Sequence, residues 1–398
     1  MPVTVLNGVY HQQDNDFTCG AAVGQMVIGD AGVDFPHQST LYNQTQAYPT
    51  ADPGPAWLSS PDGLTYVINH RLPGGEPFSL FALNHPDVAT RKLVWTIHQH
   101  GRPGIALVEG SGHWVLVHGY DVTAQPVSSQ DATYGINAVE IQDPWPPKPG
   151  GVSTAHHAGD GCGSGGTRGD ATRHIAYANW LSMYLTGDTS GMWMGKFLVI
   201  CDQDPAAPDA VAMPVMSVPA GLHIIVAADA QVAAIQGVSQ YDLASRDPWR
   251  SCLASTTPGT PLLVHRLDHP NAFYYLVPFL KRDGTSPVTV AVDATTGTYL
   301  ETSAAYAAGD TLHGPVVLTK DEAMKLVVGT HVDMPEQRGR ILVRPEAATL
   351  YEPLVWRPCI ESLTPFLPFH LIIQGKTQIF VRLDGAVFTG LTDLRPGM

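Results

Sequence analysis

The stretch Asp202-Gln-Asp-Pro-Ala-Ala-Pro-Asp209 constrains this chain more than any other segment. Proline lacks the N–H that helices and sheet ladders require, and it disfavours helix in the residue before it. A single core does not continue through such a run. The chain has 398 residues, and single cores stop growing at about 250–300. Two domains are therefore expected, at 1–203 and 210–398.

The first half mixes both periodicities. A polar loop, His11 to Thr18, precedes a helix signal over Gly20–Ile28, with Ala22, Val23, Met26 and Val27 on one face. Residues 85–100 read as a second helix. Strand signals follow at Ile105–Glu109, His113–Tyr120, Ala138–Gln142 and Lys196–Cys201, and a short one lies at Val3–Leu6. Residues 36–80 and 146–170, rich in Gly and Pro, read as insertions. In the second half Thr319-Lys-Asp-Glu322 is a capping box ahead of a helix through Val328. Strands at His370–Gln374, Thr377–Leu383 and Ala386–Leu391, separated by Gly375-Lys376 and Asp384-Gly385, form a β-meander. The fold class is α+β.

Composition excludes several functions. The net charge of −14 repels nucleic acid and anionic lipid. No window carries the ~18 or more apolar residues of a membrane span. The N-terminus lacks the basic and apolar regions of a signal peptide, so a cytoplasmic location is the expectation. The five cysteines, Cys19, Cys162, Cys201, Cys252 and Cys359, are scattered and odd in number, which argues against a disulfide framework. Nothing in the sequence addresses the oligomeric state.

Chemistry concentrates in Gln13-Asp-Asn-Asp-Phe-Thr-Cys19-Gly-Ala-Ala22. A cysteine opening a helix lies where backbone N–H groups and the dipole favour its thiolate. Gln13, six positions earlier, is within reach to donate to an oxyanion together with the Cys19 N–H. Gly112-His113-Trp-Val-Leu-Val-His-Gly-Tyr120 supplies a proton acceptor at a strand start. Period-two alternation puts His113, Val115 and Val117 on one face and Trp114, Leu116 and His118 on the other, so the two histidines serve different sites. Val139-Glu-Ile-Gln-Asp143-Pro144 is a strand ended by proline, which places Asp143 at its terminus to orient the base. The histidines at 98, 100, 156 and 157 and Cys162 lack the tight, fixed spacing of a zinc site, and no metal or organic cofactor is implied.

These motifs, in this order, resemble the papain-like cysteine peptidases, and most closely the double-glycine, bacteriocin-processing peptidases and their stand-alone relatives. The resemblance covers residues 8–203. It implies a papain-like domain in which Cys19 attacks, His113 is the base, Asp143 orients it and Gln13 builds the oxyanion hole. The implied activity is hydrolysis of a peptide or protein substrate through a thioester. The same triad serves amide hydrolysis, deamidation or peptide ligation, and a third alternative is a binding protein on the same scaffold. The chain departs from the family in the long segment Val122–Asn137 between His113 and Asp143, and in the size of the 36–80 insertion. Val288-Thr-Val-Ala-Val-Asp-Ala-Thr-Thr-Gly297 faintly resembles the strand-turn of PepSY-type modules, which bind or inhibit peptidases.

Overall fold

Helix α1 (Cys19–Asp30) is buried from Cys19 through Gly29 in the computed structural model of the chain. The structure describes all residues except 1, 34–35, 73–77, 130, 146–169, 203–223, 248, 270, 305–317, 335–338, 346, 376 and 398. Contacts divide the chain into two compact units. The first is Met1–Val218 with Tyr306–Thr311 and Leu394–Met398, and the second is Pro219–Ala305 with Leu312–Asp393. The division expected at 202–209 falls almost wholly outside the described residues. Leu394–Met398 group with the first unit, where the Pro396 carbonyl accepts from Leu58 and the Gly397 N–H donates to Ser111.

The first unit is built on an antiparallel sheet. Its strands are β1 (Val3–Val5), β2 (Phe78–Leu83), β3 (Gly104–Val108), β4 (His113–Val122), β5 (Ile136–Asp143), β6 (Asp170–Ala176) and β7 (Phe197–Asp202). They run in the order β6-β5-β4-β3-β7-β2, with β1 added beside the far end of β4. Ile105 and Leu107 of β3, Trp114 and Leu116 of β4, and Leu198 and Ile200 of β7 face α1. The alternate residues Ala106, Val108, Val115, Val117, Val199 and Cys201 face helix α4 (Pro86–His100). Both faces are covered, so these strands read as continuous apolar runs and every residue of β4 is buried. Each such Val, Leu or Ile contributes about 1.5–3 kcal/mol by leaving water.

The expected elements are present here with shifts of a residue or two at their ends. The exception is 36–80. It contains helices α2 (Gln38–Ala47) and α3 (Pro61–Arg71) as well as the start of β2. Both helices pack on α1; α2 buries only Gln38, Leu41 and Thr45, too few apolar residues to announce a helix, whereas α3 carries Leu64, Val67 and Ile68 at helical spacing within a segment whose Pro, Gly and Asn read as an insertion. The second expected insertion, 146–170, lies outside the described residues but for its last position.

The second unit has helices α5 (Ala227–Gln240), α6 (Trp249–Leu253) and α7 (Lys320–Val327). Thr319 and Glu322 form the capping box at α7. Strands β8 (Thr257–Pro258), β9 (Leu262–Arg266), β10 (Phe273–Leu280), β11 (Val288–Asp293) and β12 (Tyr299–Ala304) precede α7. After it come a separate hairpin, β13 (His331–Met334) with β14 (Gly339–Leu342), and then β15 (Ala348–Trp356), β16 (Phe369–Gln374), β17 (Thr377–Arg382) and β18 (Val387–Phe388). The sheet order is β18-β17-β16-β15-β9-β10-β11-β12, and the β15–β9 pair alone among these is parallel. The last strand is shorter than expected, pairing only through Val387 and Phe388, because the chain then turns away through Thr389–Asp393.

Candidate active site

Thr18 is the residue before α1, yet its hydroxyl does not cap the helix. It accepts the N–H groups of Asp14 and Asn15, at 3.1 and 3.0 Å, and so folds the approaching loop on itself. The first N–H groups of α1 are left pointing at the Cys19 side chain. Gly20 is required beside it: a Cβ there would lie 2.6 Å from the Cβ of Ser59. The same loop is stitched to the end of β5, where the Tyr10 hydroxyl donates to the Asp143 carbonyl at 3.0 Å and the Gln13 N–H donates to that of Pro144 at 2.8 Å.

His113 and Asp143 meet across the sheet. The β4–β5 register pairs Leu116 with Gln142, so Asp143 lies opposite Val115 and diagonal to His113 on the same face. The imidazole Nε2 lies 2.8 Å from Asp143 Oδ1. A carboxylate accepts, so Nε2 donates to it, and Nδ1 is the ring nitrogen turned away from Asp143. Nδ1 is buried and hydrogen-bonds to no described residue. The next residue in the strand, Trp114, donates its backbone N–H to Cys19 Sγ at 3.4 Å. The thiol is thereby held against the His113–Trp114 peptide.

Asp143 has a further partner on the next strand. Arg173 Nη2 is 3.0 Å from Asp143 Oδ2, and its Nη1 donates to the Tyr184 hydroxyl at 3.1 Å. The Trp145 N–H also donates to Asp143 Oδ1, at 3.0 Å. Burial by itself would raise this carboxyl. The charges of His113 and Arg173, with the hydrogen bonds from His113 and Trp145, outweigh it and hold Asp143 below the ordinary carboxylate range. Arg173 is absent from the sequence reading. Its strand follows the undescribed 146–169 segment, and an arginine in a strand usually faces water. Only the register of β6 against β5 brings it here.

The turn before His113 is strained. Glu109, Gly110 and Ser111 have φ of 55°, 63° and 78°, and two of the three are not glycine. The segment 184–190 clamps it. Glu109 donates its N–H to the Tyr184 carbonyl at 2.7 Å, Gly110 donates to Thr186 Oγ1 at 3.0 Å, and the Ser111 hydroxyl donates to Asp188 Oδ1 at 2.6 Å. Strain of order 1–3 kcal/mol per residue persists only where the surroundings enforce it, and it clusters at functional sites.

The thiol differs from the thiolate expected of a helix N-terminus. Cys19 is 0% exposed, and this desolvation drives its thiol far above the usual range. The N–H of Trp114 lowers it, the charge of Asp143 raises it further, and the N–H groups of Gly20 and Cys19 lower it too little to compensate.

Gln13 is also wholly buried. Its Nε2 donates to the Asn15 carbonyl at 2.8 Å, which leaves the second N–H of that amide uncommitted. His118 is on the other side of the strand, with Nδ1 3.1 Å from the Leu6 carbonyl, and burial lowers it to about 4, so it stays neutral. His98 contacts the Tyr120 hydroxyl at 3.2 Å, while His156, His157 and Cys162 lie outside the described residues. Among the described residues no group of three or more His, Cys, Asp or Glu is arranged to hold a metal ion. Cys201, Cys252 and Cys359 are buried. No helix among the described residues is long and apolar enough to cross a membrane.

No family model and no curated protein matches the chain. Among solved structures, the Bacillus megaterium YpeB C-terminal domain is similar at 10% identity over 78% of this chain and 98% of that chain, with a TM-score of 0.17, a likeness too loose to carry an argument.

Proposed function

We propose that the chain is a papain-like cysteine peptidase with Cys19 as nucleophile. The observation that carries this reading is the start of β4: His113 Nε2 lies 2.8 Å from the buried Asp143, and the N–H of the next residue, Trp114, donates to Cys19 Sγ. A strand histidine with a purely structural role has no need of a buried carboxylate backed by an arginine.

The steps follow from these groups. Because the resting sulfur is a thiol, His113 Nδ1 takes its proton as Sγ attacks the scissile carbonyl carbon. The carbonyl electrons become an oxyanion, held by the Cys19 N–H and the second Gln13 N–H. Asp143 stabilises the imidazolium without taking its proton. The imidazolium then gives that proton to the leaving amine as the C–N bond breaks, and a thioester remains. Water, deprotonated by His113, attacks the thioester and releases a carboxylate and the thiol.

Incubation of the purified full chain with a proteome-derived peptide library, read for new termini by mass spectrometry, tests the proposal. New termini that vanish in Cys19→Ala and in His113→Ala are expected. Termini that persist undiminished in Cys19→Ala would overturn it.

A further inference from the structure

The last residues of the chain, Leu394-Arg-Pro-Gly397, return to the first unit and lie on both halves of the candidate site. On the cysteine side, the Leu58 N–H donates to the Pro396 carbonyl at 3.0 Å. On the histidine side, the Gly397 N–H donates to the Ser111 carbonyl at 2.6 Å. Leu58 adjoins Ser59, the residue packed on Gly20 beside Cys19, and Ser111 is two residues before His113. The Leu394 side chain covers Gly112, where a Cβ would lie 2.4 Å from its Cδ1. Arg395 points to solvent. A short segment that is tied by main-chain hydrogen bonds to two different walls is bound as a peptide ligand is bound.

Gly397 admits no other residue. Its φ is +66°, and a Cβ would stand 2.3 Å from the Ser59 carbonyl oxygen. That oxygen is fixed, since it accepts the Trp114 indole N–H at 3.2 Å. The Ser59 hydroxyl, by contrast, is buried and bonded to no described residue, so a polar group of the groove wall remains for a ligand. The carbonyl that receives the Gly397 N–H belongs to Ser111, the strained residue whose own side chain is pinned by Asp188.

We infer that residues 394–397 are a built-in peptide ligand of the cleft, and that the cleft takes peptides that turn at a glycine in the position facing Ser59. The inference deepens the peptidase reading and rests on it for the step from ligand to substrate. Occupation in cis needs little intrinsic affinity, because a tethered segment is present at an effective concentration in the millimolar range. A free peptide or a substrate then competes with residues 394–397, and a chain in which that segment is displaced is the open form.

Two full-length variants test this. Gly397→Val adds a Cβ against Ser59, and Leu394→Asp removes the apolar cover of Gly112; circular dichroism checks that each is folded. Losing the two hydrogen bonds, at about 1 kcal/mol each, raises tail opening by about tenfold or more. Iodoacetamide labelling of Cys19 and hydrogen exchange at the Leu58 amide are expected to accelerate by that factor in both variants. Millimolar Leu-Arg-Pro-Gly-Met peptide is expected to restore protection, and Leu-Arg-Pro-Ala-Met is not. Unchanged labelling and exchange in folded variants would overturn the inference, and equal protection by the two peptides would overturn the glycine requirement. These readouts require no turnover. If protection behaves as expected and no Cys19-dependent cleavage occurs, the ligand stands and the peptidase reading falls.

Discussion

The guanidinium of Arg173 lies 3.0 Å from Asp143 Oδ2, with both side chains at most 1% exposed, while Asp143 Oδ1 receives His113. The carboxylate is held between a fixed cation and the base it orients. Breaking such a pair from one side leaves a buried charge unmatched, at a cost of about 3–5 kcal/mol. Arg173→Met is therefore expected to destabilise the protein by that amount in urea titrations at pH 7. The pair's pH dependence has a definite sign. Asp143 is depressed in the folded state, so its contribution is present above the unfolded value of ~3.9 and is lost as pH falls below it. The deficit of Arg173→Met is expected to shrink as pH falls through the carboxylate range, because protonating Asp143 removes the charge that Arg173 pairs with.

Replacing Asp143 separates charge from hydrogen bonding. The family analogy alone has Asp143→Asn retaining substantial activity, because an amide oxygen still accepts from His113 Nε2. Arg173 changes that expectation, since the amide removes the carboxylate charge that faces its guanidinium at 3.0 Å. Asp143→Asn is expected to be less stable than the wild type and to recover stability in the double variant Asp143→Asn with Arg173→Met. Asp143→Ala removes the acceptor as well, and its activity is expected to fall below that of Asp143→Asn. A double-mutant cycle of melting temperatures and turnover numbers measures both, and additive effects would show that the residues do not couple.

Gln13 separates scaffold from chemistry. Its backbone tie to the Pro144 carbonyl survives truncation of the side chain. Gln13→Ala is expected to lower turnover by ~10²–10³, the usual loss for one oxyanion donor, with Cys19 still alkylated at the wild-type rate. Turnover within about threefold of wild type, under ~1 kcal/mol, would remove Gln13 from the mechanism.

Asp30, at the end of α1, gives a pH signature independent of the site. Burial raises its carboxyl to about 7, and the Val9 N–H, at 2.8 Å, opposes this only in part. Between ~3.9 and about 7 the folded chain holds a proton that the unfolded chain has released, so stability falls as pH rises through that window. The slope is at most about 1.4 kcal/mol per pH unit. Denaturant midpoints measured from pH 4 to 8 are expected to fall in the wild type and to flatten in Asp30→Asn.

Some of the candidate site was legible in the chain by itself. Cys19 followed by small and apolar residues marks a helix start, the glycines before His113 mark a turn into a strand, and Pro144 marks where the strand carrying Asp143 stops. These are local properties, set by backbone conformation within a few residues, and they survive any tertiary arrangement. The strands around them were legible for the same reason. Helix α2 was not, because it buries a single apolar residue, Leu41; α3 carries Leu64, Val67 and Ile68 at helical spacing, and the surrounding Gly, Pro and Asn hid it.

What only the tertiary structure decided depends on residues far apart in sequence. The register of β6 against β5 turns Arg173 from an ordinary strand arginine into the counter-ion of Asp143. Complete burial, which no local pattern records, holds Cys19 as a thiol despite its place at a helix N-terminus. The C-terminal Leu394–Gly397 reads as an unremarkable polar end, and it acquires meaning only from the Leu58 and Ser111 main chain that receives it. Secondary structure is chosen by interactions over a few residues, whereas charge states and ligand contacts are chosen by whatever the fold removes from water and sets opposite.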